Sequence, residues 1–350
     1  MILRQRSLRW IGIAGALALL ATACGDDTDE PEAAAPSTSV STTVAEPSPT
    51  TAPAPTGTIE SSTPPPAAVA DLIVVDLTDS VFDLALLGVA PVGNIYGSEL
   101  VAPTLAALDG VTPEVADAIL AAPDLAASGG FEINVEAVAA AQPDLIITSP
   151  TWLSFYRLTV EQLEAIAPVA QLDDELGWQD RARQLGELVG AVDEAERRIA
   201  DVEQRLQVVA QRVSDAGLEG TVVSLLRPGF TTFLQSRSLG GRLLASVGLT
   251  QPEPQLADLD TGFPDYAAQT QYSEELLGDH DGDALIVLAE DPSLEPAAAF
   301  AAGSLAGEVL APLTTETAIS VPIFLWATNT LSGAGQIAQD LERLVELLDR

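Results

Sequence analysis

Lysine is absent from this chain, and cysteine, histidine and methionine occur once each, at Cys24, His280 and Met1. One cysteine excludes an intramolecular disulfide framework. One histidine and no second thiol exclude the clustered ligands of a resident zinc or manganese centre, and they leave nucleophilic catalysis without the usual base. No glycine-rich phosphate loop is present. Aromatic residues make up 5% of the chain, and all 15 basic residues are Arg against 51 acidic groups. So acidic a chain is a poor partner for nucleic acid, since phosphate neutralisation needs a basic surface. The acidity reads as a solubility trait and the missing lysine as compositional bias. No apolar run reaches the roughly 20 residues of a bilayer-spanning helix. Taken together, these absences predict a protein that is not an enzyme and holds no cofactor.

The N-terminus carries an address. Arg4, Arg6 and Arg9 precede an apolar stretch, Ile11 to Leu20, that is too short to span a membrane. Small residues follow as Ala21-Thr22-Ala23-Cys24, and then Gly25-Asp26-Asp27. This resembles the lipobox of bacterial lipoproteins, in which the chain is cut before the cysteine and the thiol is diacylated. It departs from that pattern at Ala21, where a branched aliphatic is usual. The resemblance implies a signal peptide over 1–23 and lipidation of Cys24, with two acyl chains anchoring the protein firmly on the extracytoplasmic face of the membrane. Without the signal's three arginines, 12 Arg face 51 acidic residues, a net charge near −39.

Residues 24–68 are rich in Thr, Ser, Pro and Ala, including Pro64-Pro65-Pro66. Such a segment cannot bury enough apolar surface to fold, and it reads as a disordered tether or a glycosylated stalk of roughly 40 residues. The remainder, about 280 residues, suffices for two lobes with separate cores.

In that remainder strand-like apolar runs alternate with helical stretches, the α/β pattern of mostly parallel sheets. Strands are expected at 72–77, 91–95, 143–148, 168–170, 221–226, 231–235, 284–288 and 319–326. Helices are expected at 81–87, 135–141, 160–166, 241–247 and 335–348. Thr78-Asp79-Ser80 offers a cap for the first. Val192, Ala195, Ile199, Val202, Leu206, Val209 and Val213 form one stripe at alternating spacings of three and four. They predict a helix of about 25 residues, roughly 38 Å long. Gly190 and Gly217 bracket it, which favours an intramolecular spine over a coiled coil. The expected domains are a lobe over 69–176, interlobe helices over 177–218 with the spine at about 191–216, and a lobe over 219–350.

The order of elements, with Leu86-Leu87-Gly88-Val89-Ala90-Pro91-Val92-Gly93, Gln142-Pro143-Asp144-Leu145-Ile146-Ile147 and Leu163-Glu164-Ala165-Ile166-Ala167-Pro168, resembles the substrate-binding proteins of ABC importers for ferric siderophores, haem and cobalamin. The resemblance covers nearly all of residues 70 to 350. It implies two Rossmann-like lobes joined by one long rigid helix, with ligand held between them and little closure. It further implies a monomer that delivers its ligand to a permease dimer with its ATPase, iron entering only as part of the bound chelate.

Ligands of open α/β sheets sit beyond the carboxyl ends of the strands. Trp152, Tyr156 and Arg157 follow one such end; the rings would give contact area, and the guanidinium charge-assisted hydrogen bonds to an anionic chelate. Arg227 leaves a strand before a Pro-Gly turn, with Phe233 beyond it and Arg237 and Arg242 further on, Arg237 being the better placed to face the cleft. Trp326, in Phe324-Leu325-Trp326, resembles the aromatic strand end of hydroxamate-siderophore binders and is the foremost candidate contact. Asp79, Ser80 and Tyr96 would add polar contacts. Few arginines favour a hydroxamate or mixed chelate over a tris-catecholate. Glu136 and Glu274, with Glu275 as substitute, match the acidic positions that the family presents to its permease. The cluster Asp279-His280-Asp281-Gly282-Asp283 reads as an exposed acidic turn, since its length does not fit a calcium loop. A lipoprotein that keeps this fold as a sensor or interaction module remains the alternative to transport.

Overall fold

The computed structural model describes residues 72–126, 132–257, 259 and 268–350. The expected signal peptide, Cys24 and the Thr/Pro/Ser segment lie outside them. The first sheet contains β1 (Val74–Asp76), β2 (Leu145–Thr148) and β3 (Val169–Gln171), all parallel in the order β1-β2-β3. Every residue of β1 and β2 is buried, as expected of strands covered on both faces by helices. The strand expected at Pro91–Ile95 is reduced to a single bridge between Gly93 and Val75. Pro91 has no N–H to give, and only Val92 N to Val74 O (2.7 Å) and Asp76 N to Gly93 O (3.1 Å) close the ladder.

The second sheet holds β4 (Val223–Arg227), β5 (Thr232–Leu234), β6 (Gln269–Gln271), β7 (Ala284–Ala289) and β8 (Ala318–Pro322), in the order β6-β5-β4-β7-β8. Strands β4, β7 and β8 are parallel, while β5 and β6 form an antiparallel edge. The sequence reading did not anticipate β6, nor the helices Ser98–Ala107 and Pro113–Ala121. It also ran the last strand on to Trp326. The strand ends at Pro322, and Ile323–Trp326 turn helically instead.

The spine helix, Val192–Asp215, joins the lobes. Its Ala195 packs in the first lobe's core with Leu185 and Val189, and its Ile199, Val209 and Val213 pack in the second lobe's core. One helix is thus anchored in both cores. Val192, counted in the stripe, is exposed because it opens the helix beyond the packed face. The terminal helix, Leu331–Leu348, lies along the spine, with Arg212 of the spine near Glu342 (3.3 Å) and Glu346 (3.1 Å). These exposed pairs contribute little; the apolar seam holds the helices together.

All six residues of the short helix Val81–Leu86 are buried, including Asp83. Asp83 reaches across to the second lobe, where its Oδ2 accepts from Leu331 N (2.9 Å) and its Oδ1 from Ser332 N (2.8 Å). The carboxylate therefore caps a helix of the other lobe, a favourable place for negative charge. Leu325 of the second lobe packs with Val81, Phe82 and Leu105 of the first, and Asn329 Nδ2 donates to Leu176 O at 2.6 Å. Arg198 of the spine donates to the carbonyls of Asp109 (3.1 Å) and Gly110 (2.8 Å). Among the described residues no helix is long and apolar enough to cross a membrane.

Candidate ligand cleft

The loop after β2 becomes the helix Pro150–Tyr156, with proline in its first turn and Ser149 Oγ accepting from Trp152 N at 3.4 Å. Helical spacing brings Trp152, Phe155 and Tyr156 together, with ring centroids 5.1 to 5.8 Å apart. Phe155 is 47% exposed and Trp152 half-buried, whereas Tyr156 faces the core. The indole Nε1–H of Trp152 is buried and has no hydrogen-bond partner. Arg157 ends this helix in the left-handed region (φ 56°) and is exposed.

Tyr96 lies between the lobes. Its ring stacks on Phe82 (6.3 Å) and meets the edge of Phe324 (6.4 Å). Burial, together with the charges of Asp79 and Asp76, raises its hydroxyl well above the ordinary tyrosine range, so it stays a neutral donor. Beneath it the end of β1 carries a buried polar network. Asp79 is ion-paired to the buried Arg181, and Asp76 Oδ1 accepts from the amide (3.0 Å) and hydroxyl (2.7 Å) of Thr78. Burial pushes the Asp76 carboxyl up to about 7 against the pull of the Thr78 hydroxyl, with Asp79 adding to the rise. Ser80, expected to touch ligand, is fully buried; its hydroxyl accepts from Arg181 and is hydrogen-bonded to the Thr78 hydroxyl, and it does not cap the following helix. Asp79 is committed in the same way.

In the second lobe β4 delivers Arg227 to a turn, Pro228–Phe230. The guanidinium carbon lies 3.8 Å from the centroid of Phe230, a cation–π contact, and NH2 donates to Glu290 Oε1 at 2.7 Å. Its Nε is buried without a partner. Phe230 is 56% exposed, so an aromatic face and a guanidinium stand side by side at the strand end. Arg237 donates through Nε to Gln235 Oε1 (3.0 Å) and also to Leu259 O. Arg242 donates to Arg237 O at 2.8 Å and lines a cavity of about 680 Å3. That cavity opens between Thr151, Asp174 and Gln179 on one side and Arg242, Leu243 and Asn329 on the other.

Two expected contacts are corrected. Trp326 is 0% exposed, packed in the second lobe's core against Gly240, with Nε1 donating to Asp340 Oδ2 at 2.9 Å. The helical turn after Pro322 rotates it inward and leaves the half-buried Phe324 at the lobe boundary instead. Phe233 is also buried, its ring 4.7 Å from that of His280. His280 accordingly does not belong to an exposed turn: it sits between Phe233 and Tyr272 beside Gln255, and burial lowers its pKa. Its acidic neighbours Asp279 and Asp283 are exposed.

Glu136 stands exposed in the first turn of the helix Val135–Ala140, whose cap Asn134 accepts from Ala137 N at 3.0 Å. Glu274 and Glu275 are exposed at the start of the turn Glu274–His280. Arg181, Phe230 and Phe324 were not singled out from the sequence. Arg181 had a signal, because it occupies a core position among Trp178, Ala182, Leu185 and Val189 at helical spacing, where a cation requires a buried anion.

No curated protein sequence matches this one. Among solved structures, the siderophore periplasmic binding protein from the fuscachelin gene cluster of Thermobifida fusca is similar at 22% identity, with 79% of this chain and 96% of that one covered and a TM-score of 0.61. FhuD2 from Staphylococcus aureus with bound ferrioxamine B superposes over 80% of this chain and 100% of its own, at 17% identity and a TM-score of 0.58. A FhuD fold-family protein of Bacillus subtilis, a component of a Fep/Fec-like ferrichrome ABC transporter, gives 18% identity, 80% and 94% coverage and a TM-score of 0.57. The sequence profile of the family described as "Periplasmic binding protein" matches residues 97–290, more than half of the chain. With its two α/β lobes and single joining helix, the chain belongs to the periplasmic binding protein family.

Proposed function

We propose that this protein captures a ferric siderophore between its lobes, a hydroxamate or mixed chelate, and delivers it to the permease of an ABC importer. The observation that carries this reading is Arg227, whose guanidinium lies against exposed Phe230 and keeps a buried Nε–H without a protein partner. An anionic ligand oxygen supplies that partner, and a charge-assisted bond in a half-buried site is among the stronger polar contacts. In the first lobe, the Trp152–Phe155 edge and Tyr96 offer flat contact area and two N–H or O–H donors. The structural relatives with bound or named siderophores support the same class of ligand. Iron arrives within the chelate, as cargo.

In this reading Glu136 and Glu274 meet basic residues of the permease and chiefly steer association. Cleavage before Cys24 and diacylation keep the monomer at the extracytoplasmic face of the membrane. Titrating purified protein with ferric hydroxamate, ferric catecholate, haem and cobalamin, with tryptophan fluorescence as readout, tests the ligand class. Saturable quenching at submicromolar ferric hydroxamate is expected; silence toward every chelate would favour a sensor or interaction module. Radiolabelled palmitate incorporated into the wild type and not into Cys24→Ala tests the anchor.

A further inference from the structure

Beside the cleft a second cavity, of about 280 Å3, opens between the helix Ser98–Ala107 of the first lobe and the β8 edge and terminal helix of the second. One wall is polar and unsatisfied. Ser320 is 6% and Gln336 8% exposed, and neither Ser320 Oγ nor Gln336 Oε1 makes a hydrogen bond. Leaving such atoms buried is costly unless something pairs with them. The Gln336 side chain is bonded to Asp340 through its amide nitrogen, and its Oε1 is the buried atom without a partner, an acceptor. Asp340 itself is committed, Oδ2 to Trp326 Nε1 and Oδ1 to Arg343 NH1, both at 2.9 Å. Glu290 stands at the mouth, paired with Arg227. The remaining lining combines apolar Pro103, Ala107, Pro292, Pro322 and Phe324 with Thr104, Ser293 and Arg343.

An acceptor carbonyl and a hydroxyl beside proline and phenylalanine surface suit a hydrogen-bond donor carried on an alkyl chain. A carboxylate or phosphate set against Gln336 Oε1 would meet an acceptor with no proton to give, whereas an ammonium donates to it and to the Ser320 oxygen alike. The two guanidiniums nearby are each held by a carboxylate, so the local balance is neutral, and the field of a chain with net charge −36 favours a cation over a neutral donor. We propose that this cavity binds a primary alkylammonium group, with Ser320 Oγ and Gln336 Oε1 accepting its protons and the proline-lined slot taking its methylenes. The amine comes either from a free small amine or from the pendant arm of a chelate lying in the adjoining cleft; only the second source rests on the siderophore reading.

Calorimetry with the folded protein separates these cases. Pentylammonium is expected to bind about tenfold tighter than 1-pentanol or pentanoate, and Ser320→Ala and Gln336→Met each to weaken it about three- to tenfold. Equal binding of the three probes, binding as weak as bulk water exchange for all of them, or unchanged pentylammonium affinity in both variants would overturn the site. A ferric trihydroxamate with a free pendant amine, compared with its N-acetylated form, identifies the source. Tighter binding of the free amine that disappears in Gln336→Met assigns the pendant arm. Equal binding of the two, with pentylammonium still bound, assigns a free amine. If no chelate binds while pentylammonium does, the siderophore reading fails and the cavity stands.

Discussion

Asp83 and Leu331 are joined by a 2.9 Å hydrogen bond that crosses from one lobe to the other, and the same carboxylate takes the neighbouring amide of Ser332 at 2.8 Å. Burial raises the Asp83 pKa while these amides pull it back. Asp83→Ala leaves two helix-start amides without a partner and is expected to destabilise the fold by about 2–4 kcal/mol. Denaturant unfolding measures that loss, and amide hydrogen exchange at Leu331 and Ser332 should quicken with it. Unchanged exchange at both would show that the bond does not hold the lobes.

The Asp76 carboxyl, lifted to about 7 by burial, predicts a pH trend of definite sign. A carboxyl with a folded pKa above its unfolded value favours folding most below the unfolded pKa, and that contribution is lost as pH rises toward 7. Across that window the loss amounts to up to roughly 4 kcal/mol. Asp76→Asn keeps an acceptor for Thr78 and should flatten the stability profile between about pH 4 and 7, leaving the variant more stable than the wild type at pH 8. Parallel profiles of the two proteins would count against it.

Tryptophan substitutions separate the cleft from the core. Trp152→Phe should abolish ligand-dependent quenching at little cost in stability. Trp326→Phe should keep the quenching and lose about 2–4 kcal/mol, through a cavity and the orphaned Asp340 carboxylate. A methyl group at Gly240 would meet the Trp326 ring at 2.7 Å, so Gly240→Ala should cost about 1–3 kcal/mol by overpacking. Thermal melts check both core variants.

Arg227→Ala is expected to weaken ferric hydroxamate about 10- to 100-fold, the worth of a charge-assisted bond. Glu290→Ala frees the guanidinium from its 2.7 Å partner and should strengthen binding several-fold. Opposite shifts in the two variants, read by fluorescence titration, are the diagnostic result.

The framework of the protein was legible where the physics is local. The spine showed in its apolar spacing, since its residues from Ala195 to Val213 must face two cores in succession, and continuous apolar runs gave β2 and β7 because both their faces are covered. The site was less legible because it depends on where each element stops. Carrying the last strand four residues beyond Pro322 turned a core tryptophan into a cleft residue, and the same error hid Phe324. Ser80 failed for another reason: a short polar run reads equally as ligand-facing or as a buried network, and only the distant Arg181, 101 residues along the chain, decides between them.

The spine helix with one end in each core also has a bearing on selectivity. On the proposed function, lobes tied to one shared helix make a gauge of fixed aperture, so the bulk of a cargo is judged on arrival rather than by how far the walls can be drawn around it. Tuning this protein toward a larger or smaller cargo therefore calls for changing what protrudes from the rims, Phe155 and Phe230 first, and leaving the axle untouched.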